Sequence, residues 1–257
     1  MKNKTKRLKS HMNVYSDYKH RMNILKNSYA GETCYILSCG PSLNDCDHDF
    51  LRNKLKNELV FTVKQAYSVF HDICDFHFFN CNNFSPFAYN SKTIFCSQAD
   101  ALPEHVARQH IWGNQMYDLN FVLRDNKVHN NKLTIKKDFD NWVFEKRLNR
   151  PWGPSIMHET VLYMALFLGV AEIKTIGWDH INPNGKSSKI THFYDDSVKI
   201  SSRAFDVDLT EIRECIELSK CKSNWLKDKG VTLKVMDSKK CYIHEDVERF
   251  TFQKEKK

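Results

Sequence analysis

Thr33-Cys34-Tyr35-Ile36-Leu37-Ser38-Cys39-Gly40-Pro41-Ser42-Leu43-Asn44 is the stretch whose reading decides the fold. Thr33 to Ser38 is a near-continuous apolar run, as a strand buried on both faces requires. The run stops at a Gly-Pro-Ser turn, and a polar stretch from Asp47 to Leu55 that can form a helix follows. The same grammar recurs along the chain. Short apolar runs at Leu59–Val63, Asp75–Asn80, Lys92–Ser97, Glu172–Ile176 and Val231–Met236, rich in Phe, Val and Ile, read as strands. Between Pro154 and Gly169, residues Ile156, Met157, Thr160, Val161, Met164, Phe167 and Leu168 recur near helical spacing. Two further helices are predicted, over Tyr18–Asn27 and over Asp208–Lys229, the second capped by Asp208 or Thr210 and ended by Gly230. Strands separated by helices of this size need crossover connections. The fold class is therefore α/β, a doubly wound, mainly parallel, Rossmann-like sheet in a single domain.

Composition agrees. A chain of 257 residues with 41% hydrophobic content can bury one substantial core. Only 8 Gly and 6 Pro exclude collagen-like and low-complexity chains. Aromatics at 12% and charged residues at 27% exclude wholesale disorder. The longest apolar stretch, Val161–Ala171, contains Gly169 and falls well short of the roughly 20 residues a membrane-spanning helix needs. No apolar segment near Met1 resembles a secretory signal. The 9 cysteines include no Cys-x-x-Cys pair, so no zinc ribbon is read. An odd count without a signal reads as reduced thiols and a cytoplasmic protein.

The formal charge of +8 is unevenly spread. Between Met1 and Ala30 stand eight cations (Lys2, Lys4, Lys6, Arg7, Lys9, Lys19, Arg21, Lys26) against one acid, Asp17, so that +7 sits there and +1 in all the rest. The reading is a basic N-terminal tail and helix over 1–30, attached to a near-neutral catalytic domain over 31–257. Loop insertions are expected at about 120–140 and 180–203. The tail is either solvated and frayed or a point of contact with an anionic surface such as the inner membrane. A neutral body makes nucleic acid an unlikely partner. Nothing in the sequence sets the oligomeric state, and a homo-oligomer is compatible with it.

Ligands of open parallel sheets bind beyond the carboxyl ends of the strands, where the strand order reverses. Four features fall at such ends. In the first, Cys39-Gly40-Pro41-Ser42, Gly40 permits close approach or a positive φ, Pro41 sets the start of a helix and Ser42 can cap it. Such a helix start can receive a phosphate, although tight turns use the same residues without ligands. The second is Asn80, and the third is Lys64-Gln65. Carboxamides there can read a base edge or ribose hydroxyls, and Lys64 can neutralise a phosphate; turn chemistry and an ordinary solvated lysine are the plain alternatives. The fourth is Gly177-Trp178-Asp179, trailed by Thr191-His192-Phe193-Tyr194-Asp195-Asp196. It is the richest cluster of titratable groups in the chain, with His192 the candidate general base and Asp179 the alternative base or a sugar ligand.

These features carry a resemblance. Gly40-Pro41-Ser42-Leu43 after the first strand, a helix started by Gly153-Pro154-Ser155, then Gly169-x-x-x-Ile173 and Gly177-x-Asp179, resemble the bacterial sialyltransferases of the Campylobacter type. They are also similar to the flagellin nonulosonic-acid transferases and the archaeal hydroxymethylpterin diphosphokinase-like proteins. The resemblance covers about residues 32–240. It implies a GT-A-like domain, a CMP-activated sugar donor, a glycan acceptor and inversion at the anomeric carbon without an obligatory metal. It also implies donor-binding roles for Cys39, Gly40, Pro41, Ser42, Lys64, Gln65, Asn80, Ser155, Gly177, Trp178 and Tyr194. Departures are specific. The family's first turn reads Gly-Asn-Gly-Pro-Ser-Leu, and Cys39 stands where that Asn would be; a second Asn falls on Lys64. The family's histidine before the last helix meets Ile200-Ser201-Ser202-Arg203-Ala204, so the base is assigned to His192, in a Thr191-His192 pair like that of the flagellin-transferase relatives. The alternatives are a Mg²⁺-dependent pterin diphosphokinase-like phosphotransferase, with Asp179, Asp195 and Asp196 holding the ion, and a nucleotide-binding module without catalysis.

Overall fold

The computed structural model describes residues 2–15, 17–80, 90–100, 118–123, 139–142, 156–184, 192–193 and 209–252. Its elements are α1 (Lys2–Met12), α2 (Tyr18–Leu25), β1 (Thr33–Leu37), α3 (His48–Leu55), β2 (Leu59–Val63), α4 (Ala66–Phe70), β3 (Phe76–Asn80), β4 (Ile94–Asp100), β5 (Leu119–Leu123), α5 (Leu162–Phe167), β6 (Glu172–Ile176), α6 (Leu209–Asp228), β7 (Thr232–Met236) and β8 (Glu248–Phe250). One eight-stranded sheet runs in the order β5-β4-β3-β2-β1-β6-β7-β8, and every pairing is parallel. The doubly wound Rossmann-like reading is correct. From β1 the chain winds one way to β5, then returns to place β6 on the other side of β1, so the strand order reverses between β1 and β6.

Alternate residues of each strand serve opposite faces. Ile36, Phe61 and Phe78 join Met22 and Leu25 of α2, Met164 of α5 and Leu226 of α6 in one core. Leu37, Val60 and Ile176 join Leu51 and Leu55 of α3 and Phe70 of α4 in the other. β2 is buried at all five positions, as the near-continuous apolar run requires.

The first thirty residues are not a frayed tail. Thr5, Lys9, Met12, Met22, Leu25 and Tyr29 are buried, and α1 docks at the amino ends of β3 to β5. The Thr5 hydroxyl donates to Asp75 Oδ1 (2.6 Å), just before β3, and lies 2.6 Å from the Tyr29 hydroxyl. Lys9 Nζ donates to the Thr93 carbonyl (2.6 Å) and pairs with Asp118 (2.9 Å). Arg21 reaches the Asp118 carbonyl (2.9 Å). The segment is a structural part of the sheet domain.

Two other expectations change. The predicted insertion at about 120–140 contains most of the edge strand β5, and a 3-10 turn, Phe139–Trp142, begins inside it; 124–138 lie outside the described residues. Of the predicted loop at 180–203, residues 180–184 and 192–193 are described. Within the predicted helix from Pro154, whose first two residues lie outside the described ones, Met157–Val161 is a π-helical turn that precedes α5. The widened turn holds His158, Glu159 and Thr160 in the interior, where Gln98 Nε2 donates to Glu159 (2.9 Å) and Thr160 donates to Gln98.

Candidate functional site at the strand reversal

The carboxyl ends of β1 and β6 lie side by side, with Leu37 in register with Ile176. Two of the sequence motifs leave the sheet at that point, and hydrogen bonds join them. Gly40 N donates to the Gly177 carbonyl (2.7 Å). Asp179 accepts from Ser42 N on Oδ2 (2.7 Å) and from Ser42 Oγ on Oδ1 (2.7 Å), and Gly177 N donates to Ser42 Oγ (3.2 Å). A Cβ on Gly40 would collide with the Asp179 carboxylate and stand 2.6 Å from the Gly177 carbonyl oxygen. Gly40 is thus needed for close approach rather than for a positive φ, its φ being −71°.

This clamp alters the role read for the turn. Pro41–Asp45 is a 3-10 turn, Ser42 lies inside it rather than capping it, and α3 starts later with Asp47 as its cap. The amides of Gly40 and Ser42 are taken by Gly177 and Asp179, and that of Leu43 bonds the Gly40 carbonyl (3.1 Å). Pro41 has none to give. The expectation that these amides receive a phosphate is replaced by an internal clamp. Burial holds the Asp179 carboxyl above its ordinary value, against the lowering effect of the two Ser42 bonds.

The third motif lies next door. Lys64, after β2, adopts a left-handed backbone with φ +50°, and its amide donates to the Phe78 carbonyl (2.8 Å). Non-glycine residues rarely take this conformation, which marks a position held by its surroundings. Burial pushes the Lys64 ammonium below its usual value, and no carboxylate among the described residues pairs with it; the nearest influence is the Cys39 thiol. Cys39 itself is buried, donating its thiol to the Val63 carbonyl (3.2 Å) and facing Gln65 Oε1 (3.6 Å). Burial raises that thiol above its ordinary value, so it stays protonated and links β1 to the β2 end. Cys39 and Gln65 therefore meet beside the backbone of Lys64.

His192 is brought to the same place by its neighbour. Phe193 N donates to the Cys39 carbonyl (2.9 Å), and Asn44 Nδ2 donates to the Phe193 carbonyl (2.7 Å). The Phe193 ring packs on the core under the turn, 6.3 Å from the His48 ring. This stitches half-buried His192 to the β1 turn, at the carboxyl side of the reversal. Trp178 is placed differently from expectation. It is 3% exposed and packed in the core with its ring 5.1 Å from His158 and 6.3 Å from His180, a wall rather than a ligand surface. Asn80 closes β3, in register with Gln98. Ser155, Tyr194, Asp195 and Asp196 lie outside the described residues.

The sequence reading passed over His158 and His180. Among the described residues, neither ring nitrogen of His158, nor Nε2 of His180, has a hydrogen-bond partner. Burial drives His158 well below its ordinary value, with His180 and Lys222 adding to the effect, and lowers His180 to about 4. Both are neutral imidazoles beneath the site. The one available signal was a polar His-Glu-Thr triplet interrupting an apolar helical stripe.

No protein-family model and no curated protein matches the sequence. Among solved structures the chain is similar to the Campylobacter jejuni sialyltransferase CstII in complex with a substrate analogue, cytidine-5'-monophosphate, at 15% identity over 84% of this chain and 85% of that one, with a TM-score of 0.37. It is also similar to a mammalian sialyltransferase in complex with Gal-beta-1-3GalNAc-ortho-nitrophenol, at 10% identity over 89% of this chain and 84% of that one, with a TM-score of 0.41.

Proposed function

We propose that the protein is an inverting glycosyltransferase that takes a sugar from a CMP-type nucleotide donor and passes it to a glycan hydroxyl. The observation that carries the reading is Lys64. A half-buried lysine held in a left-handed turn beside the strand reversal, its ammonium lowered by burial and with no carboxylate paired to it among the described residues, suits an anion from outside. A donor phosphate supplies one, and the motif resemblance selects the nucleotide sugar among phosphate ligands. In the step proposed, the acceptor oxygen forms a bond to the anomeric carbon and gives its proton to His192. The bond from that carbon to the phosphate oxygen breaks, and the electron pair leaves on CMP beside the Lys64 ammonium. Asp179 acts through Ser42 and Gly177, holding the turn; it is a positioning residue. Because both of its oxygens already accept from Ser42, Asp179 is poorly placed to hold Mg²⁺, which favours the transferase over the phosphotransferase reading.

The test pairs binding with turnover. CMP should raise the melting temperature more than UDP, GDP or ATP at equal millimolar concentration. His192→Ala should lose about 10²–10⁴-fold in kcat for sugar transfer while CMP affinity stays unchanged. Stabilisation by ATP with Mg²⁺ in preference to CMP, or a His192→Ala enzyme that keeps more than about a tenth of wild-type kcat, would overturn the assignment.

A further inference from the structure

Among the described residues the large exposed hydrophobic side chains are Val14 (77% exposed), Tyr15 (44%) and Tyr18 (37%), and all three lie at the turn joining α1 to α2. Their exposure is built rather than frayed. Val14 N and Tyr15 N bond the carbonyls of His11 (3.2 Å) and Met12 (3.0 Å), and Arg21 Nε donates to the Tyr15 carbonyl (2.6 Å). The Tyr15 ring stacks on His20 at 5.5 Å, and the Tyr18 ring meets Phe121 edge-on. Asp17 caps α2 by accepting from Lys19 N (2.8 Å) and also bonds His20 (3.0 Å).

The same thirty residues hold +7 of the chain's +8. Part of that charge is structural: Lys9 is buried against Asp118, and Lys4 lies over the Tyr29 ring, 3.9 Å from Glu32. Lys6, Arg7, His11 and Lys19 are exposed on the hairpin that carries Val14, Tyr15 and Tyr18. We propose that this hairpin turn docks the protein on an anionic phospholipid surface, with Val14, Tyr15 and Tyr18 in the headgroup layer and Lys6, Arg7 and Lys19 on the lipid phosphates. Tyrosine suits that layer because its ring is apolar and its hydroxyl wet, and exposed cations add attraction to anionic lipid. A nucleic acid would use the cations but has little use for a protruding valine, and His20 already covers one face of Tyr15. No helix among the described residues is long and apolar enough to cross a membrane, so the attachment proposed is to the surface.

The proposal stands apart from the transferase reading, and its test needs no turnover. The full chain is sedimented with phosphatidylcholine vesicles, with and without about 30% phosphatidylserine, at roughly 0.05 M and 0.5 M salt. Wild type should partition at least tenfold more onto anionic vesicles at low salt and lose that preference at high salt. Val14→Asp should cut binding by about fivefold or more with an unchanged melting temperature, since the side chain is 77% exposed. Lys6→Glu, Arg7→Glu and Lys19→Glu together should cut it by about 100-fold, at about fivefold per cation. Indifference of wild type to anionic lipid would overturn the proposal. So would equal vesicle binding by Val14→Asp, or binding of a single-stranded oligonucleotide with no vesicle binding.

Discussion

Replacing Lys64 by glycine should make the unliganded protein more stable and its grip on a nucleotide phosphate weaker. Two structural facts set the size of each effect. The φ of +50° is the left-handed region, which costs an L-residue about 1–2 kcal/mol and glycine almost nothing. Glycine's greater freedom in the unfolded chain returns about 0.5–1 kcal/mol of that. A net gain of up to about 1.5 kcal/mol remains, or up to about 3–6 °C in Tm for a chain of this length. Lys64→Met keeps the strained backbone and removes only the charge, so the Gly-minus-Met difference isolates the conformational part. On the ligand side, a hydrogen bond between an ammonium and a phosphate is worth about 1.5–3 kcal/mol, so both variants should bind CMP about 10- to 150-fold more weakly. Differential scanning calorimetry reads the first effect and isothermal titration the second. A Gly variant that melts below wild type would refute the claim of strain. CMP affinity within about threefold of wild type in both variants would refute the phosphate role.

Three more expectations concern the fold. His77 is fully buried, its Nδ1 sharing a hydrogen bond with Thr62 (2.9 Å), and burial lowers it to about 3; His158 is driven well below its ordinary value and His180 to about 4. Lowered histidines are neutral in the fold, so the stability is present above about pH 6.5 and is lost as protons bind the unfolded chain below it. At pH 5, His77 and His180 alone cost about 4 kcal/mol, opposed only slightly by the raised Asp179. Tm should fall steeply between pH 7 and 5, and less so in His77→Phe; a flat profile would contradict the burial argument. The second expectation is that Thr5→Val, which takes a donor from the buried Asp75 carboxylate, costs about 1.5–3 kcal/mol. Deleting residues 2–28 should abolish cooperative unfolding; a truncated chain that melts with wild-type Tm would mean α1 and α2 are dispensable.

The strands were legible because parallel strands buried on both faces must be apolar along their length, and Leu59–Val63 is such a run. Edges were harder. β8 is Glu248-Arg249-Phe250, three residues with no pattern to read, and β5 sits at the border of a polar stretch with only Leu119–Leu123 to announce it. Helix α1 was invisible for a different reason. Its inward stripe includes Thr5 and Lys9, whose partners, Asp75 and Asp118, are 70 and more than a hundred residues away. A lysine that is buried because of a distant acid looks, in sequence, like any solvated lysine. The candidate site divides the same way. Gly40, Ser42, Gly177 and Asp179 could be picked out by position at strand ends. That Asp179 consumes the Ser42 amide could not, because the two are 137 residues apart.

That last point changes where a ligand's charge must be met. A turn whose amides were open would receive a phosphate through backbone dipoles, and almost any sequence of the right shape would serve. Here the amides of Gly40, Ser42 and Leu43 are spent on Gly177, Asp179 and Gly40. The turn is thereby fixed before any ligand arrives, so little ordering entropy remains to be lost on binding. What the clamp leaves is a fixed β1 turn, joined through the Cys39 thiol to the end of β2, where Lys64 follows. Selectivity for an anion then rests on one side chain rather than on a cradle of amides. The Asp179–Ser42 clamp and Lys64 should accordingly fail in different ways. Asp179→Asn loosens the turn, which should lower stability and ligand affinity together, whereas Lys64→Gly should move them in opposite directions.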